Sequence, residues 1–191
     1  MLNAMARIGY EQEAVRYSWM IDNGMFSGKW EEGKWLKRLE ALVPHNATCI
    51  GAIVPDVISD HAGTLARWQA YAPMVKGLGY KAAFATQMGA TVDNLPWGEI
   101  DVLFVGDSEV NRLTYCWPLI EEAKRRGLWV HVGRVNSAKA IMRYCQADSV
   151  DGTNFKFGLH QTNKAQEHIL WAVRRCIARK QYQPSLLSML D

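Results

Sequence analysis

The chain has 191 residues, 49% of them hydrophobic, and carries a net charge of +3 from 22 basic and 19 acidic side chains. That size suits one domain with a real core, and the composition excludes disordered and fibrous classes. No apolar run approaches the roughly 18 residues of a membrane span, and the opening residues, MLNAMARIGY, lack the basic-then-apolar pattern of a signal peptide, so a cytoplasmic protein is expected.

Taken in chain order, short apolar runs alternate with helical patterns. Strands are expected at 17–21 (YSWMI), 47–55 (ATCIGAIVP), 80–87 (YKAAFATQ), 100–106 (IDVLFVG), 128–133 (LWVHVG) and 147–151 (ADSVD). Their apolarity is continuous rather than alternating, as in parallel strands buried on both faces. Helices are expected at 31–43, 62–79, 109–127, 136–146 and 163–181. The second and third close on glycines, Gly79 and Gly127, and the fourth opens on Asn136 and Ser137, both good N-caps. Residues 182–191 are read as a peripheral tail. Successive β-α units argue for a single α/β domain, either an open doubly wound sheet or a barrel. Neither a G-x-G-x-x-G fingerprint nor a Walker A loop is present.

Cys49, Cys116, Cys145 and Cys176 form no C-x-x-C pair, so they read as reduced, mostly buried thiols, and no metal is expected. His61, His131 and His160 are not at metal-ligand spacing, and His131, inside a strand, reads as a core histidine. The basic run at 124–126 sits at a helix C-terminus and reads as a solvated face.

The strand ends carry the chemistry. The six runs are followed by Asp22-Asn23-Gly24, by Asp56, by Gln87, by Gly106-Asp107-Ser108, by Gly133-Arg134 and by Asp151-Gly152. Such residues are ordinary in turns and caps, and Asp56 could cap the helix after it. In parallel α/β folds, however, ligands bind at the carboxyl ends of strands.

In this order and spacing the segments MIDNGMF, VPDVISDHAGTLARW, AFATQMG, LFVGDSE and QADSVDGT resemble the tRNA-guanine transglycosylases, most of all their compact phage-type members that act on DNA. The likeness covers roughly residues 17–155. It implies a TIM-like (β/α) barrel, complete or abbreviated, without the family's zinc subdomain, whose cysteine pattern is missing. It implies exchange of guanine in a polynucleotide, DNA favoured over tRNA, for a free 7-deazaguanine base, with no cofactor.

On that resemblance Asp151 is the nucleophile on C1′ and Asp22 the acid/base, following the two-carboxylate logic of glycosidases. Asp56 and Gln87 read the purine edge, the Gly106 backbone N–H approaches O6, and Asn23 and Gly24 complete the pocket. Met88 or Trp19 stacks on the base. Arg134, Lys156 and Arg112 contact phosphates. Asp148 is read as a structural acid. A helper protein and a homodimer are also conceivable partners. Two other readings stay open: a nucleoside hydrolase or glycosidase-like barrel enzyme acting on a small substrate, and a non-catalytic barrel that binds nucleic acid.

Overall fold

A computed structural model of the protein describes residues 4–6, 18–28, 30–152 and 163–182. Every anticipated apolar run forms a strand: β2 (Trp19–Ile21), β3 (Cys49–Ile53), β4 (Ala82–Thr86), β5 (Val102–Val105), β6 (Trp129–Val132) and β7 (Ser149–Val150). An additional strand, β1 (Ala4–Ala6), precedes them. Its Ala-Met-Ala run is too short and too weakly β-forming to be read from sequence.

The helices are α1 (Glu32–Leu42), α2 (His61–Gly77), α3 (Glu109–Arg125), α4 (Ala138–Arg143) and α5 (Asn163–Tyr182). Their starts follow from short polar side chains. Asp60, Ser108 and Ser137 each accept from a backbone N–H in the first turn of α2, α3 and α4. Asp60 rather than Asp56 caps α2, which leaves Asp56 without that ordinary role. Gly79 and Gly127, at φ 81° and 73°, take the left-handed turns that stop α2 and α3.

The sheet runs β1-β2-β3-β4-β5-β6-β7, in chain order, and the pairs from β1 to β5 are parallel. A doubly wound sheet reverses its strand order at a switch point. Here each strand lies beside the one before it, the α/β arrangement of a TIM-like (β/α) barrel. Chain contacts form two compact units, one of residues 3–131 and one from Val132 onward.

In the larger unit, alternate residues of the strands face opposite layers. Phe84 meets Trp68 of α2 edge-on, with ring centroids 5.2 Å apart. The other face packs Met20, Ile53, Ala83, Ala85 and Val102 together. Space there is tight: a Cβ on Gly51 would lie 3.1 Å from the Val102 side chain. Gln87 follows Ala83 and Ala85 at the strand period of two, so it continues this inner row past the end of β4. His131 is fully buried and stacks on Phe104 at 5.3 Å, a core histidine as read from sequence.

In the smaller unit, the backbone N–H of Asp151 donates to the carbonyl of Val132 (3.2 Å), and α5 packs on α4. Cys145 and Cys176 form a disulfide between them. This corrects the expectation of four reduced thiols: spacing of 31 residues says nothing about contact, and only the docking of α5 on α4 brings the two sulfurs together. Cys49 and Cys116 are in no disulfide, and burial pushes the Cys49 thiol up to about 12, which keeps it protonated and inert. Among the described residues no helix is long and apolar enough to cross a membrane.

Candidate active site at the ends of β2 to β5

Asp56 lies at the centre of the site. It follows β3, is only 5% exposed, and is held by side-chain amides from the two neighbouring strand ends. Asn23, after β2, donates Nδ2–H to Asp56 Oδ1 at 2.8 Å and to the carbonyl of Val54 at 3.0 Å. Gln87, after β4, donates Nε2–H to Asp56 Oδ2. Both amides are locked in orientation by their oxygens. Met25 N–H donates to Asn23 Oδ1 (2.9 Å) and Ser59 N–H donates to Gln87 Oε1 (2.8 Å), so the donor ends must face the carboxyl group.

Burial raises the Asp56 pKa above its ordinary value, and the charge of Asp22 adds to the rise; the Asn23 hydrogen bond and the Arg67 charge oppose it. Asp22, half-buried at the end of β2, turns its Oδ1 onto the N–H of Gly24 (3.1 Å), and Gly24 takes φ 79° to allow that turn. The two carboxyl groups thus belong to adjacent strand ends, one buried and one reaching solvent. Arg38 Nη1 donates to the Asp22 carbonyl (3.3 Å), and Arg67 Nη1 donates to the Asp56 carbonyl (3.0 Å).

A second buried acid, Asp107, follows β5 and is 3% exposed. Its Oδ1 accepts from Ser59 Oγ (2.9 Å), Ser108 N–H (2.6 Å) and Asn111 Nδ2 (3.0 Å), and its Oδ2 accepts from Met88 N–H (3.0 Å). This carboxylate ties the loops after β3, β4 and β5 together. In the sequence Asp107 stands at its strand end with no assigned role. Its partner Asn111, four residues on along α3, was the available signal.

Three non-glycine residues among those described have positive φ: Ser59 (58°), Asp107 (66°) and Arg134 (55°). All three stand in loops that leave the carboxyl ends of strands. Such backbone strain costs roughly 1–3 kcal/mol per residue and persists where the surrounding bonds over-determine it. Ser59 and Asp107 are bonded to each other, and Arg134 N–H donates to Asp151 Oδ1 (3.0 Å).

Several expectations change at this point. Gln87 is fully buried and spends both ends of its amide inside the protein, so it positions Asp56 rather than reading a base. Asn23 does the same from the other side. Gly106 is needed for packing: a Cβ there would lie 3.0 Å from the Thr86 carbonyl and 3.1 Å from Gln87 Nε2. Arg112 is 1% exposed, within the interior of α3's packing, and cannot reach a phosphate on the surface. Trp19 is 1% exposed and donates to Thr48 Oγ1 (2.9 Å), a core role rather than base stacking. Met88 is 39% exposed beside Asp107.

Asp151 belongs to the smaller unit, where its carboxylate anchors the strained turn at Arg134, itself half-buried. Asp148 stands 3.8 Å from Lys180 Nζ, in keeping with a structural acid. Lys156 lies outside the described residues. In the run at 124–126, Arg125 and Arg126 both pair with Glu122 at 2.6 Å. Among the described residues no group of three or more His, Cys, Asp or Glu side chains could hold a metal ion.

No family model and no curated protein matches the chain. Among solved structures, a 3-hexulose-6-phosphate synthase from Salmonella typhimurium is similar, with 11% identity, 92% of this chain and 98% of that chain covered, and a TM-score of 0.48. At that level no substrate carries over. The expectation of guanine exchange in a polynucleotide is nonetheless corrected. The side chains assigned to the purine edge are spent inside the protein: Gln87 donates to Asp56, whose other oxygen accepts from Asn23.

Proposed function

We propose that this protein is a (β/α)-barrel enzyme that cleaves the glycosidic bond of a small substrate, a nucleoside or simple glycoside, at the carboxyl ends of β2 to β5. The observation that carries this reading is the pair of carboxyl groups on adjacent strand ends in unlike surroundings: Asp56 buried with its pKa raised, Asp22 half-exposed. Environments that push two acids apart assign them different roles. Asp56 holds the proton and delivers it to the leaving atom as the bond to the sugar carbon breaks. Asp22 stands on the side that reaches solvent and orients the water whose oxygen replaces the leaving group, accepting that water's proton as the new C–O bond forms. Asn23 and Gln87 fix the Asp56 carboxyl group, and the Ser59–Asp107 clamp keeps the loops in place.

The test is turnover of a panel of nucleosides and aryl glycosides, each in neutral and phosphorylated form, by the purified chain. Released base or aglycone is expected for at least one member. Asp56→Asn should lower kcat by about 100-fold or more with little change in KM, the effect of losing a general acid. No release from any substrate, or full activity in the Asn variant, would remove the assignment.

A further inference from the structure

The two acids of the site are satisfied by neutral donors, although two guanidinium groups stand beside them. Asp56 accepts from the amides of Asn23 and Gln87, and Asp22 accepts from the N–H of Gly24. Arg38 and Arg67 instead donate to the backbone carbonyls of those same residues, Asp22 and Asp56. Arg67 also donates to Met25 Sδ (3.1 Å) and lies 5.1 Å over the ring of Trp30. Glu32, the acid in the first turn of α1, accepts from the Tyr71 hydroxyl (3.1 Å) rather than from either arginine. Among the described residues, neither guanidinium has a carboxylate within ion-pair distance.

The nearby orphaned groups are all donors. Arg38 Nε, Trp30 Nε1 and Trp35 Nε1 are buried and have no hydrogen-bond partner. Trp30 is the ring beneath Arg67, and Trp30 and Trp35 both meet Tyr71 edge-on, at 6.1 and 5.8 Å. A buried donor left unmade keeps the full cost of losing its water. A half-buried guanidinium without a counter-charge adds to that cost, and planar arginine forks are suited to oxyanions.

From this juxtaposition we propose that Arg38 and Arg67, with the edge of Trp30, form an anion subsite beside Asp22 and Asp56 that takes a phosphate monoester of the substrate. The substrate is then a small phosphorylated sugar derivative or nucleotide rather than a neutral one. Two guanidinium charges match a phosphate dianion, whereas a carboxylate would balance only one. The proposal rests on the reading of Asp56 and Asp22 as the reacting acids.

The experiment is a calorimetric titration of the full chain with inorganic phosphate at constant ionic strength, with acetate as a parallel arm. Saturable phosphate binding and weaker acetate binding are expected. Arg38→Gln and Arg67→Gln should each weaken phosphate binding by about tenfold or more, while Arg125→Gln, at an exposed pair far along α3, should leave it unchanged. If Arg67→Gln does not fold, Arg67→Lys keeps the charge, loses the fork, and should still bind more weakly than the native chain. Absence of saturable binding, or equal binding by the native chain and both glutamine variants, would overturn the subsite. Phosphate binding in a protein that cleaves no glycosidic bond would support the subsite and sink the acid assignment. Turnover of neutral nucleosides untouched by phosphate or by either arginine variant would overturn the subsite and leave the acids standing.

Discussion

Burial of Asp56 has a thermodynamic consequence that can be measured without any substrate. Its folded-state pKa lies above the ordinary 3.8, chiefly because burial penalises the charged form. A raised folded value means that its contribution to stability is fully present below the unfolded pKa and is lost as pH rises through the folded one. Asp56→Asn cannot ionise. Urea midpoints measured from about pH 3.5 to 7 should therefore fall with rising pH in the native chain by a component that the Asn variant lacks. Identical pH profiles would show that Asp56 is not held up by burial. Gly106 acts at the same scale. A methyl group there meets the Thr86 carbonyl at 3.0 Å and Gln87 Nε2 at 3.1 Å. Gly106→Ala should cost about 1–3 kcal/mol by overpacking, and by displacing Gln87 it should lower activity more than its loss of stability explains. Denaturant melts and kcat on the same preparation check both.

At the scale of elements, local chemistry sets the helix ends while contacts between elements set the pairing. Asp60, Ser108 and Ser137 begin their helices through bonds made within three residues, which is why these starts could be anticipated. The Cys145–Cys176 bond joins the second residue past α4 to the middle of α5 and closes a loop of 31 residues. In the chain-entropy account a loop of that length stabilises by about 3–4 kcal/mol. Reduction should accordingly lower the denaturant midpoint of the full chain, and Cys176→Ser should match the reduced native protein. Hydrogen exchange should place the loss in α4 and α5. An unchanged midpoint under full reduction, verified by thiol counting, would show that the bond does not contribute. The same packing of α5 on α4 leaves an open pocket of about 320 Å³ lined by Ile141, Tyr144, Val173, Cys176 and Ile177 together with Asp148 and Lys180.

At the scale of the whole molecule, the order of strands was the decision the sequence left open. Continuous apolar runs such as AAFAT and VLFV announce strands covered on both faces, because a half-exposed strand would alternate. They do not say which strand lies beside which. The chain-order sheet excludes the doubly wound alternative, since sequential parallel neighbours need no switch point. Of the anticipated positions at the ends of β2 to β5, Asn23 and Gln87 bond to Asp56, Asp22 turns onto Gly24, and Gly106 packs against Gln87. Their polarity at the end of a buried run is visible in one dimension. Their roles are not, because a hydrogen bond such as Gln87 to Asp56 joins residues 31 apart. Composition, periodicity and capping residues by themselves determined the helices, the principal strands and the line of polar strand ends, since each depends on neighbours within a few residues. Only the tertiary structure decided that Asn23 and Gln87 serve Asp56, that Arg112 is interior, that Arg38 and Arg67 hold carbonyls instead of carboxylates, and that Cys145 meets Cys176. Each of these depends on which side chains the sheet and its helices bring within about 3–4 Å, where hydrogen bonds and packing contacts act.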